Sequence, residues 1–221
     1  MWGFFVGCYQ PPDFPLIETI PIEAAPGSSC LDRDEYVVAC VVDGDTIDLT
    51  ACGDEEGIRI RMLGIDAPET AKGDIPAECL ADEAAAELSE RLLGERVRLT
   101  FDVACTDVYD RVLAYVWLED DALDAMAAEP GVDELLDELS AGADEPSLLL
   151  NEWLLYTGVV WPFDEDWVAP LIYQTRMDAA VAHAEAGASG VWGECEPGGG
   201  SLARVSGDGV AGYRDHQRGV P

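Results

Sequence analysis

The stretch Tyr36-Val37-Val38-Ala39-Cys40-Val41-Val42-Asp43 is almost wholly apolar and β-branched, and Gly44 follows its closing Asp43. Such a run, bounded by an Asp-Gly pair, reads as a strand entering a tight hairpin. Two more strand-like runs, 45–52 and 57–65, come next, with Gly53-Asp54 marking the turn between them. Residues 36–65 therefore read as a three-strand meander. In its third strand Arg59 and Arg61 alternate with Ile60 and Met62, which gives one apolar face and one face bearing guanidinium groups. If strands two and three pair antiparallel, the start of one lies beside the end of the other, and Asp45 and Asp66 meet at one rim.

Outward from the meander, Pro76 and the stripe Leu80, Ala84, Leu88 and Leu92 predict a helix over about 77–93, stopped by Gly94. Strands are expected at 95–102 and 111–118. Residues 119–147 hold eleven acids and no base, with a helical pattern around 134–139, and read as an inserted, solvated hairpin. Two further helices are expected, over 147–157 with Gly158 as the stop and over about 167–186 with Gly187 as the stop. The proline-bearing segment 1–35 reads as an extended leader, 36–192 as the folded domain, and the Gly-rich 193–221 as a disordered tail.

The composition is unusual in one respect. The 221-residue chain carries 45 acidic and 12 basic side chains, a net charge of −33, although 48% of its residues are hydrophobic. That apolar share excludes an acidic disordered chain, and the absence of a long apolar run excludes a spanning helix. Charge this far from zero would repel nucleic acid in ordinary buffer. Yet eleven of the twelve bases are Arg and the only Lys is Lys72. Shedding the strongly hydrated ammonium while multiplying carboxylates suits a protein kept soluble in concentrated salt, where the Debye length shrinks to about 3 Å at 1 M.

Seven cysteines, Cys8, Cys30, Cys40, Cys52, Cys79, Cys105 and Cys195, form no CxxC pair, so a structural zinc site is not indicated and disulfides in an exported protein are the better use. One thiol would be left over. The start of the chain has an apolar stretch without a basic flank, and the small residue before Cys8 is faintly similar to a lipoprotein cleavage site.

The chemistry gathers at the rim of the meander. Two hard carboxylates, Asp45 and Asp66, suit an oxygen-loving cation such as Ca²⁺. Pro68 biases Ala67 toward an extended conformation, leaving the Ala67 carbonyl as a third oxygen, and Glu69 follows one residue later, within reach of a metal-bound water. A guanidinium beside a cation and a carboxylate base is equipment for phosphoryl chemistry. Arg61 supplies one guanidinium, and Arg111, at the head of the 111–118 strand, supplies a second.

Three strings carry a resemblance: Val42-Asp43-Gly44-Asp45-Thr46, Arg61-Met62-Leu63-Gly64-Ile65-Asp66-Ala67-Pro68-Glu69-Thr70 and Asp107-Val108-Tyr109-Asp110-Arg111. In order and spacing they resemble the signatures of the staphylococcal nuclease family. Similarity continues weakly through Asn151-Glu152, Gly158 and Gly190-Val191-Trp192. The resemblance implies an α+β fold, a five-stranded OB-type β-barrel with packed helices, whose groove often binds single strands. It also implies a Ca²⁺-dependent phosphodiesterase that acts on DNA and RNA and leaves 3′-phosphate ends. By position, Asp45, Asp66 and Ala67 would bind Ca²⁺, Glu69 would be the general base, Arg61 and Arg111 would hold the phosphate, and Tyr109 would line the nucleotide pocket. In the barrel context it suggests a disulfide joining Cys79 to Cys195 or to Cys105.

The chain departs from the family pattern at several points. Ala67 replaces a Thr, Asp110 replaces the Gly of a Tyr-Gly-Arg string, and a pocket Lys falls at Val108. The pocket tyrosine expected after Gly158 has no clear counterpart, and Trp161, Phe163 and Trp167 are the candidate substitutes for base stacking. His183 and His216 have no Ser or Cys motif beside them. Two functions are weighed: an exported, salt-adapted, monomeric Ca²⁺ nuclease of DNA and RNA, and a non-catalytic nuclease-like OB module that binds nucleic acid or a protein partner.

Overall fold

A computed structural model describes residues 30–102, 104–118, 120–128, 132, 147–163 and 171–196. The helical pattern at 134–139, Trp167, Cys8, His216, most of the leader and nearly all of the Gly-rich tail lie outside these residues. Of the acidic insert, α2 (Asp120–Ala127) is described, and it buries Ala122, Leu123 and Met126 against the core.

The expected meander is present as β2 (Cys40–Asp43), β3 (Thr46–Asp48) and β4 (Arg59–Met62), preceded by β1 (Glu35–Val37). β2 and β3 pair antiparallel across a turn at Gly44-Asp45, and β3 pairs antiparallel with β4, aligning Thr46 with Arg61 and Asp48 with Arg59. β4 buries Ile60 and Met62 and leaves Arg59 and Arg61 on the wetter face, as its alternation dictates. β5 (Ile65–Asp66) turns off this sheet and pairs with β9 (Trp161–Pro162). The strands β6 (Arg96–Thr100) and β7 (Val112–Leu118) are antiparallel partners, β7 runs parallel to β4, and β8 (Leu148–Leu149) adds to β7.

In place of the expected five-stranded OB-type barrel, the strand order β1-β6-β7-β4-β3-β2 with β8 on β7 forms a seven-stranded mixed sheet, because β8 adds to β7 and the first strand is bent into β1 and β2. The bend lies at Val38-Ala39. The Val38 amide donates to Glu95 O at 3.0 Å while the Ala39 amide donates to Asp48 O at 2.9 Å. β1 and β2 are thus two halves of one bent run, paired to β6 at one end and to β3 at the other, so the chain itself bridges the two ends of the strand order.

Helix α1 (Ala81–Leu92) buries Ala81, Ala84, Leu88 and Leu92. It starts later than the sequence pattern suggests, because Leu80 takes φ 62° and the segment carrying Pro76 is a small hairpin. α3 (Leu150–Thr157) ends at Gly158, whose φ of 73° caps it as expected. α4 (Gln174–Gly187) runs through Gly187, and Ala188, at φ 49°, ends it instead. α5 (Val191–Glu194) closes the described chain. Buried Asn151 ties α3 to two neighbouring parts of the sheet: its Oδ1 accepts from Val116 N of β7 at 2.9 Å and its Nδ2 donates to Leu63 O, just after β4, at 2.8 Å. Its neighbour Glu152, also buried, pairs with Arg176.

Three disulfides staple the frame: Cys30–Cys105, Cys40–Cys52 and Cys79–Cys195. Of the two expected partners of Cys79 the structure takes Cys195, and Cys105 pairs with Cys30. The sequence separations of 75 and 116 residues close long loops. On a chain-entropy account, each of these removes about 4–5 kcal/mol of freedom from the unfolded chain.

Candidate active site

The turn between β2 and β3 packs tightly. A Cβ on Gly44 would come 2.7 Å from Ala67 Cβ and 2.9 Å from Ala84 Cβ, so only glycine lets this turn sit against the Asp66-Ala67 corner and helix α1. That approach brings the second residue of the turn, Asp45, into contact with Arg61 of β4 and with the backbone of Ala67.

Asp45 is buried and fully engaged. One carboxylate oxygen accepts from Ala67 N at 2.7 Å, the other from Thr46 Oγ1 at 2.8 Å, and Arg61 Nη1 lies 2.8 Å away. Arg61 Nη2 lies 3.2 Å from Asp66 Oδ1, so one guanidinium joins both carboxylates. It also sits 5.5 Å from the Phe163 ring centre, a cation–π distance. Burial pushes the Asp45 carboxyl up to about 6; Arg61 opposes the rise and Asp43 adds to it. Two carboxylates against one guanidinium leave a surplus negative charge in a dry corner, which costs free energy unless a cation joins them.

These donors fit a hard divalent cation. Ca²⁺ takes about six to eight oxygens, from carboxylates, carbonyls, water and substrate alike. Among the described residues no three His, Cys, Asp or Glu side chains converge as a metal cluster. The side-chain share for such a cation would therefore be two carboxylates, Asp45 and Asp66, with the other oxygens from backbone, solvent or substrate phosphate. Ala67 is fixed beside Asp45 through its amide.

Glu69 stands just beyond this corner, with 42% of its side chain exposed, and its Oε2 is 2.5 Å from Lys72 Nζ. Its amide donates to Glu78 Oε2 at 2.9 Å. Arg111 and Tyr109 lie on a separate loop organised by Asp107. Asp107 Oδ1 accepts from Tyr109 N at 2.9 Å and Arg111 N at 3.0 Å, and its Oδ2 accepts from Arg111 Nε at 2.6 Å. The Arg111 guanidinium is 5.5 Å from the Tyr109 ring centre, and Tyr109 is half exposed. β7 starts directly after this loop, and its parallel register with β4 aligns Val112 with Ile60 and Leu113 with Arg61.

The structure thus brings Asp45, Arg61, Asp66 and Ala67 together, with Glu69 at their edge, and holds Tyr109 and Arg111 on the loop leading into β7. Of the stacking candidates, Trp161 is buried edge-on against Trp192 at 4.9 Å, while Phe163 faces Arg61. His183 stacks on Tyr156 at 3.7 Å as a packing group. Sequence reasoning missed three supporting residues: Asp107, Glu78 and Lys72. Asp107 had a signal, since an Asp two residues before a turn amide favours an Asx turn. Glu78 and Lys72 had none, because their partner Glu69 is reached only through the fold of the loop between them.

Residues 59–193 match the family model described as staphylococcal nuclease homologue. The chain belongs to the staphylococcal nuclease family. Its fold is accordingly of the OB-type α+β kind. Over 99 residues it is 38% identical to a thermonuclease of Staphylococcus intermedius, covering 45% of this chain and 58% of that protein. Over 117 residues it is 35% identical to a thermonuclease of Staphylococcus hyicus, covering 53% of this chain and 68% of that protein. The chain thus spans little more than half of the first of these relatives and about two thirds of the second. The family match begins at Arg59, so Arg61, Asp66, Ala67, Glu69, Tyr109 and Arg111 fall inside it, and Asp45 is delivered to them by the pairing of Thr46 with Arg61.

Proposed function

We propose that this chain is a Ca²⁺-dependent nuclease that hydrolyses phosphodiester bonds of DNA and RNA, acting within strands and leaving 3′-phosphate ends. The observation that carries the reading is the single Arg61 guanidinium joining the buried Asp45 and Asp66. The relatives named thermonuclease support it.

In this reading Asp45, Asp66 and the Ala67 carbonyl hold Ca²⁺, which when bound neutralises their charge and that of the substrate phosphate. Arg61, whose fork bridges the two carboxylates, is the guanidinium that would reach a phosphate oxygen. Arg111 is aimed by Asp107 through Nε, which leaves its Nη groups as phosphate donors. Glu69 accepts the proton of the attacking water at an Oε atom. Tyr109 presents its exposed ring to the nucleotide.

The three disulfides support export to an oxidising compartment. The charge of −33, with Arg in place of Lys, supports work as a monomer in concentrated salt, where screening lets a few arginines meet a polyanion. A second reading, a non-catalytic binding module, is favoured by one observation: Arg61, Arg111 and Glu69 are each held in an ion pair within the chain.

A labelled oligonucleotide digested in Ca²⁺ buffer tests the proposal. Internal cuts ending in 3′-phosphate are expected. Products ending in 5′-phosphate would contradict the assigned chemistry, and binding without cutting would leave the module reading in its place.

A further inference from the structure

The segment between the proposed base and helix α1 is a two-rung hairpin. Its inner rung is complete: Lys72 N donates to Ile75 O at 3.0 Å and Ile75 N donates to Lys72 O at 3.1 Å, around Gly73 at φ 61°. Its outer rung is reciprocal as well, with one substitution. Glu78 N donates to Glu69 O at 2.9 Å, but the Glu69 amide donates to the Glu78 side chain, Oε2, at 2.9 Å. A carboxylate takes the place of a backbone carbonyl, and a charged acceptor makes the stronger bond to an amide. Directly after Glu78, Cys79 is bonded to Cys195 beyond α5, whose Trp192 packs on Trp161, the ladder partner of Asp66. Lys72, on the inner rung, returns its ammonium to the Glu69 carboxylate.

We propose that Glu78 is the positioning residue of Glu69: its side chain closes the hairpin at the Glu69 amide, and the Cys79–Cys195 bond anchors that hairpin to the same wall that holds Asp66. The proposal rests on the assignment of Glu69 as the base. The clasp holds the backbone of a half-exposed residue that would otherwise wander, and a displacement of about 1 Å at a reacting group costs on the order of a hundredfold in rate. Gln at position 78 keeps an oxygen acceptor at the same reach; Ala does not.

The test compares the full-length wild type, Glu78→Gln, Glu78→Ala and a Cys79→Ser/Cys195→Ser double variant. Amide hydrogen exchange at Glu69 is read without substrate, and kcat and KM are read on DNA with Ca²⁺. Glu78→Ala should lose protection at Glu69 and drop kcat tenfold or more with KM within about twofold. Glu78→Gln should restore both, and the double cysteine variant should shift them in the same direction as Glu78→Ala. Unchanged exchange at Glu69 in Glu78→Ala, a Gln variant as impaired as the Ala variant, or a loss confined to KM would overturn the proposal. A wild type that cuts no DNA would overturn the nuclease reading instead, and the exchange data show which of the two has failed.

Discussion

Arg61 Nη1 lies 2.8 Å from Asp45 Oδ2, an ion pair built by the strand register that sets Thr46 opposite Arg61. Asp66 shares the same guanidinium at 3.2 Å, so one base bridges two carboxylates. Their negative charge outweighs that of the guanidinium, the imbalance that the proposed Ca²⁺ would offset.

That surplus charge has a pH signature. Asp45 rises from an ordinary 3.8 to about 6 because it is buried. The folded chain therefore holds the proton more tightly than the unfolded chain, and ionised Asp45 costs stability fully above about pH 6, with the cost fading as pH falls toward 4. The size is on the order of 3 kcal/mol. In chelator, Asp45→Asn should raise the melting temperature at pH 7, because Arg61 then pairs with Asp66 alone, and should flatten the dependence between pH 4 and 6. Identical melting profiles for the two proteins across that window would refute this account.

Gly44→Ala should destabilise the chain by about 1–3 kcal/mol, since the new methyl meets Ala67 and Ala84 below contact distance. Denaturant midpoints would show it. A midpoint equal to that of the wild type would mean the turn does not press on the Asp66-Ala67 corner.

Asp110 adopts φ 61° in the loop that aims Arg111, a conformation that glycine takes without strain. Asp110→Gly should stabilise the chain by up to about 1 kcal/mol and, by removing a carboxylate beside Arg111, lower KM for DNA. A rise in KM would show that Asp110 assists substrate binding.

Cleavage should speed up from low to high ionic strength as screening relieves the repulsion between a −33 chain and a polyanion. Initial rates on one plasmid from dilute buffer to multi-molar salt measure it. A steady fall with salt, the ordinary result for arginine–phosphate contacts alone, would contradict the salt-adapted reading.

The meander and its rim were legible because both follow from local pattern. Alternation put Arg59 and Arg61 opposite Ile60 and Met62, Asp43-Gly44 marked the hairpin, and antiparallel pairing then required Asp45 to approach Asp66. Features set by distant partners were not legible in this way. Pro76 looked like the first turn of a helix but sits in the hairpin that Glu78 closes, and α1 waits for Leu80 to turn the chain. Gly187 looked like a helix stop, yet Ala188 takes the left-handed conformation. The first strand bends at Val38-Ala39 because two neighbouring amides bond to different strands, a choice that no local periodicity records. Cys30 found Cys105 across 75 residues for the same reason.

The most direct test of the central claim is digestion of plasmid DNA in multi-molar salt by the wild type and by Glu69→Gln, each with Ca²⁺ and with chelator. Rapid cutting by the wild type with Ca²⁺ alone, and a loss of a hundredfold or more in Glu69→Gln, is the predicted result. A wild type that cuts no faster than Glu69→Gln, or no faster in Ca²⁺ than in chelator, would contradict it.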